Sequence, residues 1–214
     1  MAHPRSRTLP DLLDEITALD PAHELIVGGG ERLSYVETRA RARRFAKGLR
    51  RLGVRRGDKV ALLMGNRPEW LVIDFAVALL GATLVPISTW SRARELGYVL
   101  DHCDATTLIT IARFAGQDYL GMLAELGGPG SMRLPKLARV VVFDGERGGP
   151  LTAFDTLWDL GATVADAELD AAQRAVKAED VAYILYTSGT TSTPKGVQLA
   201  HGGLVENMWN IGER

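Results

Sequence analysis

The chain has 214 residues, 46% of them hydrophobic and 24% charged, with a formal net charge of −1. That balance suits a soluble chain with a sizeable core, in one large domain or two small ones. A charge this near zero argues against nucleic acid or an anionic membrane as the main partner. The single cysteine, Cys103, excludes a disulfide framework and fits a reducing compartment. The basic N-terminus has no apolar stretch behind it and does not read as a signal peptide. The longest apolar run, 70–84, is interrupted by Asp74 and is too short to span a bilayer. A cytoplasmic protein is expected.

In chain order, residues 9–19 read as a short amphipathic helix ended before Pro21. A strand over 23–27 and a turn at residues 28–30 suggest a hairpin. Ser34 and Glu37 form a capping box that opens a helix to about Leu52, with Gly53 as its stop. Its expected buried stripe is Val36, Ala40, Phe45, Leu49 and Leu52. The same helix and its exit carry Arg39, Arg41, Arg43, Arg44, Lys47, Arg50, Arg51, Arg55 and Arg56. No aromatics interleave them, so a solvated helix face is favoured over a nucleic-acid surface. Asp144, Glu146, Asp155, Asp159, Asp166, Glu168 and Asp170 balance these charges later in the chain. The two sets either face one another or both face water.

Next come alternating units. A strand over 59–64 leads to a helix from Pro68 to Leu80 that is apolar on nearly all sides and must be buried from several directions. A second strand covers 83–87. Ser91 is expected to cap a helix reaching Cys103, and a third strand covers 106–111. A helix over 117–126 precedes a fourth strand, 139–143. Helices at 154–160 and 167–177 follow, and a strand over 181–186 comes last before the polar loop. This alternation predicts an α/β fold, a mostly parallel sheet covered by helices. His102, Cys103 and Asp104 are adjacent at a helix end and cannot converge on one metal ion. His201, just past the loop, fits a local structural hydrogen bond at least as well as catalysis.

The chemistry concentrates in one loop. After the apolar strand, Thr187, Ser188, Thr190, Thr191, Ser192 and Thr193 crowd around Gly189, and Pro194, Lys195 and Gly196 close the segment. A further short strand over 197–199 follows. Hydroxyls, backbone N–H groups and one ammonium are the parts that wrap a polyphosphate. The spacing rejects a P-loop, which needs Gly just before the Lys and Ser or Thr just after it; here Lys195 lies between Pro194 and Gly196.

The run 186–197 resembles the signature loop of the adenylate-forming superfamily: acyl-CoA synthetases, luciferases and peptide-synthetase adenylation domains. Ser192 stands where that family usually has Gly. If the position needs a positive φ, a side chain there costs about 1 kcal/mol. The segments 57–61, 66–69 and 81–87 are similar to the family's sequence in the same order and tilt the choice towards acyl-CoA synthetases. The resemblance implies ATP-dependent activation of a carboxylic acid to an acyl-adenylate and then an acyl-CoA thioester, as in fatty acid metabolism. ATP, Mg2+ and coenzyme A are the implied cofactors. Thr187, Ser188, Gly189, Thr190 and Thr191 would contact the β- and γ-phosphates, with Ser192 and Lys195 beside them. Most of the acyl pocket and the catalytic lysine of a C-terminal lid domain follow the loop in this family. Residues 1–214 therefore resemble an incomplete N-terminal portion of the adenylation domain, truncated after the phosphate loop and inactive alone. A non-catalytic remnant, an acyl-AMP ligase and a peptide-synthetase adenylation domain are the alternatives. Self-association through an unfinished sheet edge is expected.

Overall fold

The computed structural model describes residues 3–144, 151–187 and 194–212. Helix α1 (Leu9–Leu19) starts behind Thr8, whose hydroxyl accepts the Asp11 N–H at 3.3 Å. Strands β1 (Glu24–Gly28) and β2 (Glu31–Ser34) form the expected antiparallel hairpin. Helix α2 (Tyr35–Leu52) opens on the predicted capping box. The Ser34 N–H donates to Glu37 Oε2 at 2.9 Å, and the Glu37 N–H donates to Ser34 Oγ at 3.4 Å. Gly53 ends the helix at φ +103°, a left-handed conformation that glycine adopts without a Cβ clash. Replacing Ser34 by Ala removes one partner of this cap. The expected cost is about 1 kcal/mol, read as a lower urea midpoint at unchanged slope.

The alternating units follow as β3 (Lys59–Leu63), α3 (Pro68–Leu79), β4 (Thr83–Pro86), α4 (Ala93–His102) and β5 (Ala105–Thr110). A small hairpin, β6 (Arg113–Phe114) with β7 (Gln117–Asp118), precedes α5 (Tyr119–Glu125). Then come β8 (Arg139–Val142), β9 (Leu151–Ala153), α6 (Thr156–Gly161), α7 (Asp166–Arg174), β10 (Val181–Thr187), β11 (Lys195–Ala200) and α8 (His201–Gly212). One seven-stranded sheet runs in the order β11-β10-β4-β3-β5-β8-β9. Every neighbouring pair in it is parallel except β10 with β11. From β3 the chain steps through α3 to β4, then returns through α4 across β3 to β5. Right-handed crossovers in opposite directions put α3 and α4 on opposite faces of the sheet. Helix α2 accordingly packs with α1, α3, α6 and α7, while α4 packs with α5.

Three expectations need correcting. The buried stripe of α2 is Thr38, Ala42, Phe45, Ala46, Gly48 and Leu49; Val36 and Ala40 are exposed and Leu52 is half-buried. Phe45 and Leu49 of the expected stripe are buried as predicted, and the rest of the contact side is made by the small residues Ala42, Ala46 and Gly48 with Thr38. Ser91 does not cap α4. The N-cap is Arg92, whose N–H donates to Glu95 Oε2 at 2.8 Å, while the Ser91 N–H closes a turn on the Ser88 carbonyl. The three-residue strand β9 has no counterpart among the predicted elements; it extends the sheet beyond β8.

The basic face of α2 meets the later acids. Arg43 pairs with Asp170 at 2.6 Å, Lys47 with Asp166 at 2.9 Å and Arg50 with Glu168 at 3.3 Å. Arg39 and Arg41 reach Asp14 and Glu31. Glu146 lies outside the described residues. Arg43, Lys47 and Arg50 thus face Asp166, Glu168 and Asp170 across α2 and α7. No helix among the described residues is long and apolar enough to cross a membrane.

Candidate functional site: the β10–β11 hairpin

Strand β10 lies parallel to β4, with Tyr183 opposite Leu84, so its last residues emerge at the carboxyl edge of the sheet. Open α/β sheets bind ligands along that edge, beside the point where successive crossovers leave on opposite faces. Strand β11 returns antiparallel to β10, and Thr187 and Lys195 are directly paired across the mouth of the hairpin. Both are exposed. Neither side chain has a hydrogen-bond or ion-pair partner among the described residues. The predicted phosphate contacts Ser188, Gly189, Thr190, Thr191 and Ser192 lie outside the described residues. Of the sequence-predicted site, Thr187 and Lys195 are therefore brought together.

The hairpin is tightly packed below its mouth. A Cβ on Gly196 would lie 2.9 Å from Ile184 Cγ2 and 3.3 Å from Tyr186 Cζ, so the Tyr186 ring sits over the glycine of the Pro-Lys-Gly segment. Burial pushes the Tyr186 phenol well above its usual range, which keeps the hydroxyl protonated and able to donate. It lies 2.7 Å from Nδ1 of His102 on α4. On the same helix, one turn earlier, the Tyr98 hydroxyl donates to the Pro194 carbonyl at 3.0 Å. Tyr98 and His102 stack, with ring centroids 5.0 Å apart. Sequence reasoning missed this pair in connection with the loop. Their i, i+4 spacing on one face of α4 is the only local signal, and it does not say which strand they meet.

His201 begins α8 and is fully buried. Its Nδ1 accepts the Leu9 N–H at 3.3 Å, and its own backbone N–H donates to the Asp180 carbonyl at 3.1 Å. Burial pushes its pKa down, so the neutral ring ties α8 to the start of α1. Among the described residues there is no cluster of His, Cys, Asp and Glu that could hold a metal ion.

A mostly parallel, helix-covered sheet with an antiparallel hairpin at one margin places the chain in the α/β class. The chain belongs to the AMP-binding enzyme family, whose model matches residues 13–214. It is 38% identical over 185 residues to the long-chain-fatty-acid–CoA ligase FadD15 of Mycobacterium bovis, covering 86% of this chain and 29% of that ligase. It is 30% identical over 225 residues to the mitochondrial medium-chain acyl-CoA ligase ACSF2 of Danio rerio, covering 100% of this chain and 37% of that one. Among solved structures, the anthranilate CoA ligase AuaEII in complex with anthranoyl-AMP superposes with a TM-score of 0.78 at 25% identity, over 97% of this chain and 38% of that one. The chain thus spans well under half the length of these relatives.

Proposed function

We propose that this chain supplies the polyphosphate-binding part of an ATP-dependent acid–thiol ligase of the acyl-CoA synthetase type. In the reaction proposed for the whole enzyme, a carboxylate oxygen bonds to the α-phosphorus of ATP as the bond to pyrophosphate breaks. The thiolate of coenzyme A then attacks the acyl carbonyl and AMP departs. Such displacements need charge stabilised on phosphoryl oxygens, and preformed N–H, O–H and ammonium donors supply it. The observation that carries the reading is the pairing of Thr187 and Lys195 across an exposed hairpin mouth, both free of protein partners among the described residues. That donor chemistry fits a polyphosphate. Thr187 and Lys195 would hold it together with Ser188, Gly189, Thr190, Thr191 and Ser192. Magnesium, when bound with ATP, would neutralise part of the phosphate charge.

Calorimetric titration with MgATP and with inorganic pyrophosphate tests this reading. Saturable binding is expected, and Lys195→Ala should weaken it by about tenfold, the loss of one charged hydrogen bond. The melting temperature should stay put, because the side chain is exposed. Wild-type protein that binds neither ligand would falsify the proposal. For residues 1–214 alone, as a partial N-terminal adenylation domain, we propose phosphate binding without adenylation. Robust exchange of labelled pyrophosphate into ATP would overturn that part. Binding without exchange also accords with a nucleotide-binding remnant.

A further inference from the structure

Both stems of the β10–β11 hairpin are fastened to one helix. On the outgoing stem, Tyr186 reaches His102 Nδ1 at 2.7 Å; on the returning stem, the Pro194 carbonyl accepts the Tyr98 hydroxyl at 3.0 Å. The three rings form one cluster, with Tyr98 and His102 stacked and Tyr186 edge-on to both, its centroid 6.2 Å and 5.7 Å away. Tyr186 and Pro194 immediately flank the paired residues Thr187 and Lys195. Ladder hydrogen bonds fix Thr187 and Lys195 relative to each other. Pairing with β4 fastens β10 at Tyr183, four residues before Thr187, and β11 has no second strand neighbour, so the ladder holds the base of the hairpin more firmly than its mouth. Two side-chain bonds to a single helix fasten it next to the mouth.

We propose that Tyr98 and His102 are positioning residues that hold Lys195 and Thr187 in register for a polyphosphate, acting through Pro194 and Tyr186. The proposal rests on the phosphate-binding reading above. Single side-chain hydrogen bonds contribute modestly, so each is expected to change affinity by about three- to tenfold. Removal of the hydroxyl in Tyr98→Phe keeps the ring stack and breaks only the bond to Pro194. His102→Ala removes the ring-nitrogen partner of the Tyr186 hydroxyl, whereas His102→Asn restores a polar amide atom near the position of Nδ1.

The test is pyrophosphate titration of the full 214-residue chain and these three variants, with melting temperatures measured in parallel. Tyr98→Phe and His102→Ala are expected to weaken pyrophosphate binding about three- to tenfold, with melting temperatures within about two degrees of wild type. His102→Asn is expected to recover most of the affinity that His102→Ala loses. Equal affinities in all four proteins overturn the positioning role while leaving the phosphate site intact. Affinity losses that only follow falling melting temperatures, without rescue by Asn, overturn it as well by reducing the residues to general packing. If wild type itself does not bind pyrophosphate, the phosphate-binding reading fails first, and the positioning role falls with it.

Discussion

Gly48→Ala is expected to destabilise the protein by about 3 kcal/mol, although alanine is the better helix former by about 1 kcal/mol. Gly48 lies in the interior of α2, where the helix faces α6. A Cβ built there would lie 2.2 Å from the Leu157 carbonyl oxygen and 2.8 Å from its carbon. Both atoms are backbone, so no side-chain rotation can make room. The contact is reciprocal: a Cβ on Gly161 would lie 2.5 Å from the Arg44 carbonyl oxygen and 3.1 Å from the Gly48 nitrogen. Two glycines therefore let the helix backbones touch. Adding one methyl must push α6 away, and with it Phe154 and Trp158, whose rings lie 4.7 Å and 5.2 Å from Phe45. Phe45 is fully buried, so the displacement opens a close-packed part of the core. Gly203 in α8 is the matched control. It is a helical glycine with nothing within 4 Å of the place a methyl would take, and Gly203→Ala should stabilise by about 0.5 kcal/mol. Urea unfolding of both variants decides the matter. A neutral Gly48→Ala would mean that α6 is not held against α2 in solution.

How much of this was legible in the sequence depends on how local each signal is. The capping box at Ser34 and Glu37 and the stop at Gly53 were, because a cap is made by residues within one turn of one another. The alternation of strands and helices between Lys59 and Val142 was too, because each parallel strand there is buried on both faces and reads as an apolar run. The phase of α2 was legible only in part, at Phe45 and Leu49. The rest of its contact side is built from Ala42, Ala46 and Gly48, which carry little hydropathy, while Val36, at 45% exposure, points away from it. Strand β9 escaped because three half-buried residues at a sheet edge show no periodicity. In the candidate site, the loop's composition is the ground for the polyphosphate proposal, and of the residues it names the structure pairs Thr187 with Lys195 at the sheet's carboxyl edge. The partners Tyr98 and His102 were invisible, since the bonds they make to the hairpin close over 96 and 84 residues of chain. Likewise, Arg43 and Lys47 are plainly basic and Asp166 and Asp170 plainly acidic, but their pairing exists only once α7 is laid against α2.

Asp74 was visible only as an interruption in an apolar run, and in the fold it makes stability depend on pH in an unusual direction. It lies in α3, 6% exposed, and accepts the Tyr183 hydroxyl of β10 at 2.6 Å. Burial pushes its carboxyl up from 3.8 to about 7, and the Tyr183 hydrogen bond offsets only part of that shift. The folded state therefore holds a proton that the unfolded chain releases near pH 4. A group whose pKa is raised on folding contributes stability that is fully present below its unfolded pKa and is lost as the pH rises through the folded value. For Asp74 the loss runs from about pH 4 to about pH 7. Between pH 5 and pH 8 it should amount to roughly 2.5 kcal/mol at about 1.4 kcal/mol per pH unit of displacement. Other groups titrate over the same interval, His201 among them. Its pKa is lowered by burial, so its own contribution is complete above its unfolded value and falls away below it. Comparing wild type with Asp74→Asn at each pH cancels those shared terms. The amide resembles the protonated carboxyl in shape, keeps an oxygen for the Tyr183 hydroxyl, and does not ionise. The difference in unfolding free energy, Asn variant minus wild type, should rise by roughly 2.5 kcal/mol from about pH 5 to about pH 8 and then level off. A difference that stays constant across that range would show that Asp74 is ionised in the folded protein throughout, with water or a cation reaching a carboxylate that the packing of α3 against β10 encloses.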